Sequence, residues 1–300
     1  MPVTAGDLDD DGGLDLISGV STGRIWLTRD EGSQGDHRYQ TPEVLEAGGA
    51  PFQVLPGPDG LLDGPVHPSL GYACPTLVDW SGHGRLDLLV SGAGGDVLLL
   101  RNDGARNDPR FGSPVPLRCQ GLPLLIPPRV RPAATDWLGE GRIDLLALDL
   151  QGFLCLYPRE SRLELNAPQP LVDRLGRVIR LDGGFGLSGR CNLWAGPWCG
   201  SDRPDILLGL PRSHRHVVPG VTGIPFSSLD DIPTVLLLEN LGHGAVCPRP
   251  VYHADGRPVI VGDEGCSPMG VASATGGELD LLVGGDDGSI TWVRRDELTW

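Results

Sequence analysis

The chain has 300 residues, 45 of them glycine and 28 proline, and a formal net charge of −15 at neutral pH. All 24 basic residues are arginine, which excludes Schiff-base and lysine-dependent phosphate-loop chemistry, and the acidic balance excludes a general nucleic-acid surface. No run of 18 apolar residues occurs, so no membrane insertion is predicted, and a 40% apolar content in strand-length runs suffices for a sizeable core.

Five segments replay one theme, a short Asp-Leu-rich strand followed by a turn and a second apolar strand. In residues 1–65 the core is LDLISG around Asp15, followed by GRIWLTRD from Gly23 and a Pro-marked YQTPEVL. Residues 66–127 repeat it as CPTLVDW from Cys74, LDLLVSG at Asp87, GDVLLLRNDG from Gly95 and FGSPVPL. Residues 128–185 read RPAATDW, IDLLALD at Asp144, GFLCLYPRE and NAPQPLV; residues 186–262 read PDILLG at Asp205, TVLLLENLG and CPRPVYH. The last copy, 263–300, has LDLLVGG at Asp280 and GSITWVRRD but no Pro-marked segment, for which the Asp296–Trp300 tail is a candidate replacement. Runs of this length bounded by Gly and Asp, with no stretch at helical period, are strands, and proline suits an outer strand whose amide faces water. The reading is all-β: a single β-propeller domain of five recognisable four-stranded blades, either a closed five-blade ring or part of a larger propeller.

The first copy opens with Asp7-Leu-Asp9-Asp10-Asp11-Gly-Gly-Leu-Asp15. Carboxylates at alternate positions wrapped by glycine suit a hard, oxygen-seeking cation, so Asp7, Asp9, Asp11 and Asp15, with the Gly13 carbonyl, are candidate ligands of a structural Ca²⁺. At the same offsets blade two holds Asp79, Ser81, His83 and Asp87, blade three Asp136, Leu138, Glu140 and Asp144, and blade five Ala272, Ala274, Gly276 and Asp280. Leucine and alanine cannot coordinate, so one complete site is expected. The final aspartate persists in every copy and is expected to accept backbone amides within its turn.

The loops Asp7–Leu16, Asp79–Leu88 and Asp136–Leu145 resemble the FG-GAP/VCBS repeat of bacterial propellers. The resemblance implies a propeller with calcium loops between the first and second strands of its blades. It implies function less narrowly, because such propellers include adhesion modules, lectins and lyases of uronic-acid polysaccharides.

Strand direction puts the loops between blades on the face opposite the calcium turn. There the sequence supplies His67 and Tyr72, Arg129 and Arg131, Arg190 and Asn192, and Asp263 with Glu264, while a long insertion between Pro211 and Pro233 brings His214, Arg215 and His216. Arginines recognise a uronate carboxylate through paired donors, and a His or Tyr base removes the adjacent C5 proton. The expected function is carbohydrate-active. One candidate is a polysaccharide lyase with His67, Tyr72, His214 and His216 as catalytic groups and Arg129, Arg131, Arg190, Asn192 and Arg215 binding substrate. The alternative is a non-catalytic carbohydrate-binding or adhesion module. The expected partner is a polysaccharide or other glycan bound by a monomer. Export to the periplasm, cell surface or medium is the expected location, with no leader recognisable in this chain. Trp194 and Trp198 are candidate sugar platforms, and a Cys191–Cys199 disulfide is compatible with export.

Overall fold

A computed structural model describes residues 2–32, 36–55, 70–181, 191–211, 233–262, 265–273 and 276–300. Blade one is β1 (Val3–Gly6), β2 (Asp15–Gly19), β3 (Ile25–Thr28) and β4 (Glu43–Val44), paired antiparallel in that order. The hairpin β5 (Glu46–Ala47) and β6 (Ala50–Pro51) follows, then blade two: β7 (Cys74–Val78), β8 (Asp87–Ser91), β9 (Val97–Leu100) and β10 (Val115–Pro116). After the hairpin β11 (Arg118–Cys119) and β12 (Leu122–Pro123), blade three comprises β13 (Ala133–Thr135), β14 (Asp144–Leu148), β15 (Leu154–Tyr157) and, beyond β16 (Glu164–Leu165), β17 (Gln169–Pro170). Blade four is β18 (Asn192–Gly196), β19 (Asp205–Gly209), β20 (Val235–Gly242) and β21 (Ala245–Pro250). Next come β22 (Tyr252–His253), a three-stranded blade five of β23 (Ser267–Ala272), β24 (Leu279–Gly284) and β25 (Ile290–Val293), and β26 (Leu298–Thr299).

The second strand of each blade is sandwiched on both sides. Every residue of β2, β8, β14 and β19 is buried, which is why these segments read as unbroken apolar runs rather than as alternation. The shared aspartate heading each such strand is buried too, and its Oδ1 accepts the amide at the end of the third strand: Asp30, Asn102, Arg159 and Arg295, each fifteen residues on, and Asn240, thirty-five residues on across the blade-four insertion. The other oxygen takes Leu8, Ser81 or Cys199 N–H, or the Trp292 indole. The expected amide-accepting role is therefore what the structure shows.

The ring is closed. First strands touch in sequence from β1 through β7, β13 and β18 to β23, and β23 returns to β1. Each junction carries its own hydrogen bond: Leu77 N to Thr4 Oγ1, Thr76 Oγ1 to the Pro132 carbonyl, Leu193 N to the Arg131 carbonyl, Asn192 Nδ2 to the Cys266 carbonyl, and Val3 N to Ser267 Oγ. At the seam, Val3 and Leu16 pack with Met269, Val271 and Leu282.

Three features depart from expectation. Among the described residues blade five has three strands, and the tail strand β26 pairs with β22 instead of extending β25. A further hairpin leaves each of the first four blades, marked by a repeated pair of backbone bonds: Leu45 N to Ile25 O and Phe52 N to Leu45 O, with equivalents at Leu117/Leu124, Leu171/Ile179 and Val251/Val259. One of these hairpins joins β16 in a small three-stranded sheet, a sixth sheet of three or more strands beside the five blades. Lastly, all seven cysteines are free, and Cys191 and Cys199 lie at opposite ends of β18, so the disulfide is absent.

Candidate functional site

On the face opposite the Asp7 loop, the turns of the ring converge on a cavity of about 380 Å³. It is lined by Pro2, Val20 and Ser21 from blade one, Tyr72 and Cys74 from blade two, Arg129 leading into blade three, Asn192 of blade four, and Gly265, Asp286 and Asp287 of blade five. The sequence-predicted Tyr72, Arg129 and Asn192 thus share one mouth. The Arg129 guanidinium lies over the Tyr72 ring, 3.7 Å from its centroid, and both residues hold positive φ, 63° and 46°. Left-handed backbone at non-glycine residues costs free energy.

Asn192 has a specific vacancy. It is 7% exposed; its Nδ2 donates to the Cys266 carbonyl at 2.8 Å, but the buried Oδ1 accepts nothing. A buried acceptor without a donor costs about 1–3 kcal/mol. Asp287 is held below the usual carboxylate range by the Ser289 hydroxyl and amide, so it stays an acceptor at neutral pH. Burial pushes the Cys74 thiol up to about 12, which removes it as a nucleophile.

Arg131 is not a surface ligand. It is 2% exposed and occupies the position equivalent to Pro2, Cys74, Asn192 and Ser267 at the inner edge of the ring. Its Nε donates to the Leu193 carbonyl at 3.0 Å, Nη2 to Pro268 O at 2.5 Å, and Nη1 to Val3 O. One guanidinium therefore ties blades four, five and one to blade three. Burial holds its pKa down to about 10, still charged at neutral pH. With Arg129 it read from sequence as substrate-binding; the converging carbonyls of three blades take it instead. His67, Arg190, His214, Arg215 and His216 lie outside the described residues, as do Asp263 and Glu264.

Neither tryptophan behaves as a platform. Trp198 is 1% exposed, and the half-buried Trp194 ring packs where a Cβ on Gly196 or Gly270 would stand. Asp286 and Asp287, adjacent carboxylates in a turn, read from sequence as side chains that point apart; both line the mouth, because a second-to-third-strand turn opens on this face.

On the opposite face, ligand oxygens of Asp7, Asp9 and Asp11 come within 4.8 Å of one another. Asp9 Oδ1 is buried without a hydrogen-bond partner, while its Oδ2 pairs with Arg29 at 2.7 Å. An orphaned carboxylate oxygen among three acidic groups fits a hard cation. Asp15 stands apart with both oxygens bonded to amides, and burial pushes it up to about 6.

A second depression of about 500 Å³ lies at the outer edge between blades one and two, lined by Arg29, Glu43, Glu46, Arg110 and Phe111. Its arginines are already engaged, Arg29 by Asp9 and Arg110 by Asp108 at 2.6 Å, so the central mouth is the better candidate.

No protein-family model matches the chain, and no curated protein does. The FG-GAP/VCBS likeness therefore rests on the repeated loop and strand pattern. Among solved structures the chain is similar to an Agrocybe aegerita lectin described as recognising non-reducing terminal N-acetylglucosamine, at 12% identity and a TM-score of 0.41. It is also similar to a Burkholderia pseudomallei lectin, at 14% and 0.45, and to AofleA from Arthrobotrys oligospora, at 12% and 0.47. These matches cover 97–99% of this chain but only 63%, 66% and 71% of the respective partners.

Proposed function

We propose that the chain is a glycan-binding propeller module that takes a neutral sugar at the central mouth. The observation that carries this is the convergence of blades on one cavity lined by Asn192, Tyr72, the Arg129 side chain and the carboxylates of Asp286 and Asp287. Sugar hydroxyls both donate and accept, so such a mixed set suits them. A uronate would bring its own negative charge against Asp286 and Asp287. Arg131, one of the groups expected to neutralise it, is committed to backbone carbonyls. These points favour binding over polysaccharide cleavage. We also propose a structural Ca²⁺ at Asp7, Asp9 and Asp11, which would clamp the first turn of blade one.

The test is calorimetric titration with neutral and uronic-acid oligosaccharides in calcium buffer, using wild type, Arg129→Ala and Asp287→Ala, with absorbance near 235 nm followed in parallel. Saturable binding of a neutral glycan, weakened about tenfold or more in both variants, is expected. Appearance of unsaturated uronate would establish the lyase instead. Binding unchanged in both variants would remove the mouth as the site.

A further inference from the structure

We propose that the first loop of blade two is a binding site for a divalent transition ion of the zinc and cobalt class, held by His83 with Asp79 and Asp87. This loop is the counterpart of the Asp7 loop, with the residue at the Asp11 position replaced by histidine. Ligand atoms of the three residues lie within 4.8 Å of one another. His83 Nε2 is 3.5 Å from Asp87 Oδ1, and Nδ1 is 3.4 Å from Asp79 Oδ1. The imidazole thus meets two carboxylates that also accept backbone amides, Asp79 from His83 and Gly84 and the fully buried Asp87 from Asn102 and Ser81; unlike Asp15 of blade one, Asp87 has an imidazole beside it.

Two further observations point to a missing ligand. His83 Nε2 and Ser81 Oγ, at the fifth and third positions of the same loop, are both buried and without hydrogen-bond partners. Two orphaned polar atoms in one short turn are uncommon, and a cation beside the imidazole satisfies the His83 nitrogen. Donor type decides the ion: imidazole nitrogen suits zinc, cobalt and nickel, whereas the all-oxygen loop of blade one suits calcium. At present the Arg85 amide makes a long 3.3 Å contact to His83 Nδ1, leaving the ring proton on Nε2. With metal on Nε2 that proton moves to Nδ1, and both carboxylates serve as ligands of the ion. The Arg85 contact is given up.

The experiment is Co²⁺ titration of the full chain followed by visible absorption, with Zn²⁺ equilibrium dialysis beside it, in excess Ca²⁺ so that an oxygen-only loop stays filled. Wild type, His83→Ala and His83→Asp are compared. Wild type is expected to bind one more equivalent of Co²⁺ and Zn²⁺ than His83→Ala. His83→Asp, which restores the residue blade one carries at this offset and so preserves the turn, is expected to lose that equivalent and gain one of Ca²⁺. The buried thiols and other histidines are common to all three proteins and cancel in the comparison. Equal Co²⁺ uptake by wild type and both variants, or none by wild type, overturns the proposal.

Discussion

Replacing Arg131 with methionine tests whether the guanidinium holds the ring or serves a ligand. The side chain makes three hydrogen bonds, to carbonyls of Val3, Leu193 and Pro268, and charge-assisted bonds contribute roughly 1.5–3 kcal/mol each. Against this stands the burial that drops its pKa from 12.5 to about 10, a penalty of about 3 kcal/mol. Methionine keeps much of the volume, so the cavity contribution is small. The net loss is roughly 2–5 kcal/mol, a fall in melting temperature of about 3–8 °C for a chain of this size. Differential scanning calorimetry reads it directly, with glycan affinity measured on the same samples below the transition. Arg131→Lys should recover part of the loss, since an ammonium reaches fewer carbonyls at once. A methionine variant that melts within about 2 °C of wild type yet binds glycan tenfold more weakly would refute the structural role and return Arg131 to the binding set.

Asp30 is held down at about 2: burial alone would raise it, but hydrogen bonds from His37 at 2.5 Å and from the Arg38, Leu14 and Gly32 amides outweigh that. Its folded pKa lies below the 3.8 of an unperturbed aspartate, so its contribution of about 2 kcal/mol is present above pH 4 and lost as pH falls through 2. Urea unfolding at pH 6, 4, 3 and 2 should show Asp30→Asn with a flatter acid limb, and parallel curves for the two proteins would contradict it. Gly19→Ala and Gly209→Ala place a Cβ against the Ala73 and Cys266 carbonyls of the next blade, and each should cost about 1–3 kcal/mol by chemical denaturation. With Ca²⁺ bound at the Asp7 loop, chelation should lower the melting temperature by several degrees in wild type and leave Asp9→Ala unmoved. An equal drop in both would place the ion elsewhere.

The parts of the fold legible in sequence were those whose burial is two-sided. LDLLVSG and IDLLALD became β8 and β14 because both faces of a central blade strand pack on neighbours, and their aspartates had to find amides. The Pro-marked segments became β4, β10, β17 and β21 for the converse reason, an outer edge with a free amide. The linking hairpins escaped notice although PFQV, PLLI, VIRL and PVIV repeat at the ends of the first four copies, because two-residue strands carry too little alternation to register. At the mouth, Tyr72, Arg129 and Asn192 were legible as odd residues in loops that had to face one way. Arg131 was not, because depth along the ring axis depends on how closely five first strands approach. His83 read as decay of a calcium loop; only coordinates show its ring standing between Asp79 and Asp87.

The aspartate clasp also bears on how the chain reaches its fold. In four blades the clasp joins residues fifteen apart, so the contact that locks strands two and three forms locally, before any neighbouring blade is needed. In blade four the same contact spans thirty-five residues. Loop-closure entropy for that longer span costs about 0.8 kcal/mol more, enough to slow closure roughly threefold to fourfold. Blade four is therefore expected to be the last of the five to lock its second and third strands together.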